Sequence, residues 1–204
     1  MKKLMFCVGF SLLAGESALI AQEKVVEAPQ SVESRVQQIR GLYADIENDQ
    51  SLTKTQIDSG KAEQPVEMKI TRYTSSAGEL KKMSVLHGGD HGTWEMTYYF
   101  YQGEVFFAFE VTSVWRFTGK MLEGGHSEVV DVYAQRRLYF DQGKCIKVLE
   151  KRVQSSEEVD FTKLIAEQPN KPLKISPELQ KHAKEGLKLA KLRTSQDIQK
   201  HLGF

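Results

Sequence analysis

From Ser31 onward the apolar positions recur at helical spacing. Val32, Val36, Ile39, Tyr43 and Ile46 lie three or four apart, with Arg35, Gln38, Arg40, Asp45 and Glu47 elsewhere on the wheel. One apolar stripe results, and it has to be buried against something. Asn48 to Pro65 is polar and predicts a loop with ragged helix. At Val66 the period drops to two. Six strands are predicted, over 66–74, 79–87, 93–101, 104–117, 127–140 and 144–153. Between them stand SSAG, GGDHG, QG, a longer loop around GKMLEGG, and DQG, all turns centred on glycine. No helical pattern interrupts the strands, which excludes parallel crossovers and leaves consecutive antiparallel hairpins. Beyond them Ser176 is a credible N-cap, with Pro177 at the first helical position and Glu178 in the first turn. Leu179, Ala183, Leu187 and Ala190 continue that helix, and Ser195 to Gly203 predicts a short further one.

Pairing the third and fourth strands across Gln102-Gly103 sets an expected register. Tyr101 faces Glu104, Phe100 faces Val105, Tyr98 faces Phe107, Met96 faces Phe109 and Trp94 faces Val111. The side carrying the last four of these pairs reads as core beneath the N-terminal helix. The other side would carry Thr97, Tyr99, Phe106 and Ala108, with Glu95 directly opposite Glu110. Opposed like charges destabilise a strand pair, so Arg136 or Arg137 on the next strand is expected to neutralise them. Otherwise the two would share a proton or a cation, as paired carboxylates do in catalytic sites.

The expected fold is therefore α+β: a twisted antiparallel six-stranded meander with the N-terminal helix on one face. The C-terminal helix covers an edge or the far face, and a half-open β-barrel is the alternative. Tyr99-Phe100-Tyr101-Gln102-Gly103-Glu104 is echoed by Tyr139-Phe140-Asp141-Gln142-Gly143-Lys144, and a Glu follows each at the same offset, Glu110 and Glu150. A helix carrying IRGLYADI, followed by hairpins of the YYFYQGEVFFAFE and RRLYFDQGKCIKVLE type, resembles uncharacterised secreted or periplasmic bacterial proteins. The resemblance covers about residues 32–150. It implies a helix-plus-meander domain and transfers no activity.

The chain starts MKKLMFCVGFSLLAGESALIAQEK. Lys2 and Lys3, the apolar run Leu4 to Ala14 and the small Ala21 have the layout of a secretory signal peptide over 1–21. The run is too short for the ~20 residues of a membrane-spanning helix. Residues 22–30 then form a tether, and 31–204 form one α+β domain with a C-terminal helical segment at about 176–202. Removing Lys2, Lys3 and Glu16 from 28 basic and 27 acidic residues leaves 26 of each. A formally neutral chain has no general attraction for nucleic acid or anionic membrane. Cys145 remains as the sole cysteine, which rules out an internal disulfide framework.

Alternate turns of a meander share an end. GGDHG and the loop holding Gly124, Gly125 and His126 fall together, which gathers His87, Asp90, His91 and His126 near Trp94 and Trp115. Histidine and aspartate are suitable ligands for zinc or a similar divalent ion. No phosphate-cradling loop, nucleophile elbow or HExxH helix is present. The expected function is thus a non-catalytic binding or interaction domain of the bacterial cell envelope, needing no cofactor. It would engage an envelope protein or small ligand through Trp94, Tyr99, Phe106, Trp115, Glu95 and Glu110. The competing expectation is a metal-binding protein or metal-dependent hydrolase built on His87, Asp90, His91 and His126.

Overall fold

The computed structural model describes residues 31–59 and 67–203; the signal-peptide and tether assignments lie outside the described residues. Ser31 caps α1 (Val32–Asn48), its hydroxyl accepting from the Ser34 N–H. At the far end the Asp49 carboxylate accepts the Ser51 N–H and hydroxyl, turning the chain into β1 (Thr53–Asp58). There follow β2 (Glu67–Thr74), β3 (Leu80–Gly89), β4 (Gly92–Tyr101), β5 (Glu104–Met121), β6 (Ser127–Asp141) and β7 (Lys144–Ser155). The chain closes with α2 (Phe161–Glu167), β8 (Lys171–Pro172), α3 (Pro177–Leu189) and α4 (Ser195–Leu202).

All eight strands form one open antiparallel sheet in chain order. The sheet is open, not a half-open barrel, and it has two strands more than expected. β1 lies inside the stretch expected to be loop. Its exposed, polar residues belong to an edge strand, whose outer face has nothing to bury, so alternation gives no signal there. β8 is a two-residue strand on the other edge, a position that tolerates its proline. Seven-residue α2 was also missed: Asp160 caps it by accepting from Thr162 and Lys163, and Ile165 is its one buried side chain.

The β4–β5 register departs from expectation by one residue. Gln102 and Gly103 both have positive φ, at 52° and 79°, the two-residue turn whose twist matches a hairpin. Phe100 faces Val105 as expected, but Tyr99 then faces Phe107, leaving Phe106 as the extra residue of a β-bulge. Past it every β5 side chain changes face. Ala108 faces Tyr98, Glu110 faces Met96, and Glu95 faces Val111, so Glu95 and Glu110 are not opposed. A straight ladder would have set those two carboxylates side by side; the bulge puts them on opposite faces. The echoed hairpin does the same. Gln142 and Gly143 turn with φ of 48° and 73°, and Tyr139 pairs with Lys147, so Ile146 bulges.

Two hydrophobic layers result. On one face Met83, Val85, Met96, Tyr98, Ala108, Leu138 and Val148 pack beneath Leu179, Ala183 and Leu189 of α3 and Ile198 of α4. On the other, Tyr99, Phe106, Phe107, Tyr139 and Leu149 pack beneath Val36 and Ile39 of α1. The N-terminal helix therefore covers the face opposite to the one expected, because the bulge sends Phe107 and Phe109 to join Tyr99. The C-terminal helices take the far face.

Candidate functional site

Helix α1 does not cover its face of the sheet completely. Beside it lies a groove of about 330 Å³ between α1, the middle strands and the segment leading into β8. Ile39, Arg40 and Tyr43 come from α1, Phe107 and Phe109 from β5, Arg137 and Tyr139 from β6, Leu149 from β7, and Asn170 from the approach to β8. The 3.6-residue period sets Ile39 and Tyr43 one turn apart on the covering stripe and Arg40 at its margin. The bulge aims Phe107 and Phe109 here.

The floor is a set of mutually packed rings. Tyr43 lies 5.1 Å from Tyr99 and meets Phe107 edge-on at 5.3 Å, and Phe107 lies 5.1 Å from Tyr139. Such tilted and edge-on contacts are the favoured aromatic geometries. The Arg137 guanidinium sits over the Phe109 ring at 5.0 Å and donates to the Asn170 side-chain oxygen at 3.1 Å. Burial and then the neighbouring Glu47 carboxylate push the Tyr99 phenol far above its usual range, so it remains a proton donor, bonded to Glu47 at 3.0 Å. No carboxylate lines the groove.

The opposite face carries a partly buried ionic row. Trp94 Nε1–H donates to one Glu110 oxygen at 2.7 Å, and Arg136 donates to the other at 2.9 Å. Arg136 also reaches Glu150 at 2.8 Å. The two glutamates that follow the repeated hairpins thus flank one arginine. Burial works against the Arg136 charge, but Glu110 and Glu150 outweigh it and raise its pKa further. Arg136 is one of the two expected neutralisers; Arg137 belongs to the other face. Beside the row, His182 of α3 is held below the usual histidine range, first by burial.

The remaining candidates are dispersed. Tyr99 and Phe106 are buried under α1, at 3% and 4% exposure, and offer no open surface. Trp94 and Glu110 belong to the ionic row, whereas Glu95 lies on the α1 face with Val111 opposite. His87 faces Trp94 across the β3–β4 pair. The His91 ring lies 4.4 Å from Trp115, whose Nε1–H donates to the Asp90 carbonyl. His126 is remote: β5 runs on past Trp115, and Leu122 bonds His126 seven residues later, roughly 20 Å along the strand. Its unequal length is why alternate turns do not meet. Among the described residues, no group of three or more His, Cys, Asp or Glu is placed to hold a metal ion. That projecting hairpin exposes Phe117, Met121, Leu122 and Val129.

Cys145 is buried, its thiol pushed up to about 11 by burial, which leaves it protonated and unreactive at neutral pH. Comparison with protein-family models, curated proteins and solved structures finds no match. No helix among the described residues is long and apolar enough to cross a membrane. Arg40, Tyr43, Phe107, Phe109 and Arg137 escaped the sequence reading as a site because they converge only once the bulge is known. The density of aromatics around Gln102-Gly103 was the available signal.

Proposed function

We propose that this chain is an exported, non-catalytic binding domain of the bacterial cell envelope, and that it holds a small ligand in the groove beside α1. The observation that carries this reading is the groove's composition. A volume of about 330 Å³ floored by Tyr43, Phe107 and Tyr139, with a few polar groups at its margin, has the size and lining of a small-molecule site. Groove and lining include no thiol, serine or histidine to act as nucleophile or base. Export is supported by the Lys2-Lys3 and Leu4–Ala14 pattern.

Native mass spectrometry of protein recovered from the periplasm tests both parts. The expected chain starts near Gln22 and carries a small retained mass that denaturation releases. Asn170→Trp, which fills the groove mouth from an exposed position, should lack that mass. An unprocessed chain confined to the cytoplasm would remove the envelope assignment, and identical bare masses in both proteins would count against the groove.

A further inference from the structure

The groove differs from the rest of the α1 face in how its basic groups are treated. Around the helix, Arg35 pairs with Asp141 at 2.8 Å, Lys82 with Glu47 at 2.6 Å and Lys147 with Glu33 at 2.6 Å. Arg40 and Arg137 line the groove, and neither has a carboxylate partner among the described residues. The contrast is sharpest between neighbours on β6: Arg136 is shared by two glutamates, while Arg137 has one amide oxygen and the face of Phe109. A guanidinium offers five N–H donors, and the Asn170 bond uses one.

On the reading that this groove is a binding site, we infer that its ligand is a small organic anion with a flat apolar body, such as an aromatic carboxylate or sulfonate. The oxyanion meets Arg40 and Arg137, and the body lies against the rings of Tyr43, Phe107 and Phe109. Guanidinium and carboxylate are matched in shape and charge and form parallel hydrogen bonds. The Asn170 and Phe109 contacts already restrain Arg137, so little side-chain freedom is lost when the anion arrives. The volume, about 330 Å³, lies at the lower end of the range of about 300–1,000 Å³ for small-molecule sites, room for an aromatic acid of up to three rings and too little for a protein segment with its own fold. A cationic ligand would meet two uncompensated positive charges. A neutral ligand would leave the guanidinium donors unused.

Two fluorescent probes with the same ring body separate charge from shape: anilinonaphthalene sulfonate and phenylnaphthylamine, which lacks the sulfonate. The sulfonate should bind one per chain, and Asn170→Trp should abolish that binding. Arg137→Gln and Arg40→Gln should each weaken it by about ten-fold, while leaving the amine within about two-fold. Arg137→Lys should recover part of the loss, because charge returns without the planar fork. Both arginines lie away from the buried core, and unchanged melting temperatures would confirm that the variants fold. Equal affinity for the two probes, or no effect of either arginine variant, would overturn the anion assignment and leave a neutral-ligand site standing. If neither probe binds, the binding reading falls, and the anion assignment with it.

Discussion

The two faces of this sheet are built from adjacent residues of the same strands, yet they solve packing differently. On the α3 face the contact is close. Gly186 lies so near the Tyr98 ring that a methyl group there would stand 2.5 Å from a ring carbon. Tyr98 and Phe140 are covered there, and a charged row lies with them, centred on the buried Glu110. On the α1 face the helix rests on large rings, which hold it off the sheet and leave space along one side. A glycine at the contact lets backbone approach and close the layer, whereas rings at the contact leave a groove. The closed face is where stability should concentrate. The face with the gap is where binding can be changed at small cost to the fold.

Substitutions that open the closed face should therefore do the most damage. Arg136→Met removes the partner shared by Glu110 and Glu150, and leaves Glu110, whose side chain is 6% exposed, holding only the Trp94 N–H. An uncompensated buried carboxylate predicts a loss of about 3 kcal/mol in urea unfolding. A loss below about 1 kcal/mol would mean that the row is solvated and the face not sealed. Arg137→Met, one residue along and on the other face, should cost well under 1 kcal/mol.

Gly186→Ala comes next. At an ordinary helix interior this change stabilises by about 0.5–1 kcal/mol. Here the added methyl meets the Tyr98 ring, so α3 must lift or the ring must leave its rotamer, for a net loss of about 2 kcal/mol. Combining it with Tyr98→Leu tests the cause: the double variant should lose less than the two single losses added. Strict additivity would show that the two do not compete for the same space.

Much of this architecture was legible beforehand. β2–β7 were readable from alternation and Gly-centred turns, α1 and α3 from apolar stripes, α3 also from the cap at Ser176, and α4 as the short helix expected over Ser195 to Gly203. The parts that were not legible share a physical cause. β1 and β8 are edge strands that bury little, so their pairing with a neighbour decides their structure and their pattern carries no sign of it. The bulges at Phe106 and Ile146 slip the register without disturbing local alternation enough to be seen. Phe106 and Phe107 are adjacent, both apolar and both buried on one face. That adjacency is the mark of a bulge, and strict alternation read it as two faces. The groove depends on that slip, so its rings were named as helix stripe and strand core, Arg40 as a polar helix position and Arg137 as a possible neutraliser of glutamates, and the looked-for site fell on loops that end about 20 Å apart.

Tyr98 and Tyr99 give a smaller and more direct comparison, since consecutive residues on β4 put one phenol on each face. The Tyr98 hydroxyl is buried with no hydrogen-bond partner, whereas that of Tyr99 donates to Glu47. Tyr98→Phe should stabilise the protein by about 1 kcal/mol, and Tyr99→Phe should destabilise it by about as much. Burial raises the pKa of both phenols, so each favours the folded state below an unfolded value of ~10 and that contribution fades as pH climbs above it. Each Phe variant should therefore lose less stability than the parent as pH rises from about 9 to 11. If both substitutions changed stability in the same direction at neutral pH, the two faces would not differ in the way their hydroxyls are satisfied.

The mildest test uses His182, which belongs to the closed face alone. Burial lowers its pKa first; Glu110 and Glu185 oppose that shift, and Arg136 reinforces it. With the folded value below the unfolded ~6.5, the unfolded chain takes up the proton first as pH falls. Above about pH 7 the residue is neutral in both states and contributes nothing to pH dependence. Between about pH 6.5 and its lower folded value, the fold should lose stability, by no more than about 1 kcal/mol given that His182 is only partly buried. His182→Gln removes the titration while keeping a polar group. Urea midpoints of parent and variant should run parallel above pH 7 and diverge below it, the parent falling faster. Parallel curves down to pH 5 would mean that water reaches His182, and that α3 closes its face less completely than the contact of Gly186 with Tyr98 implies.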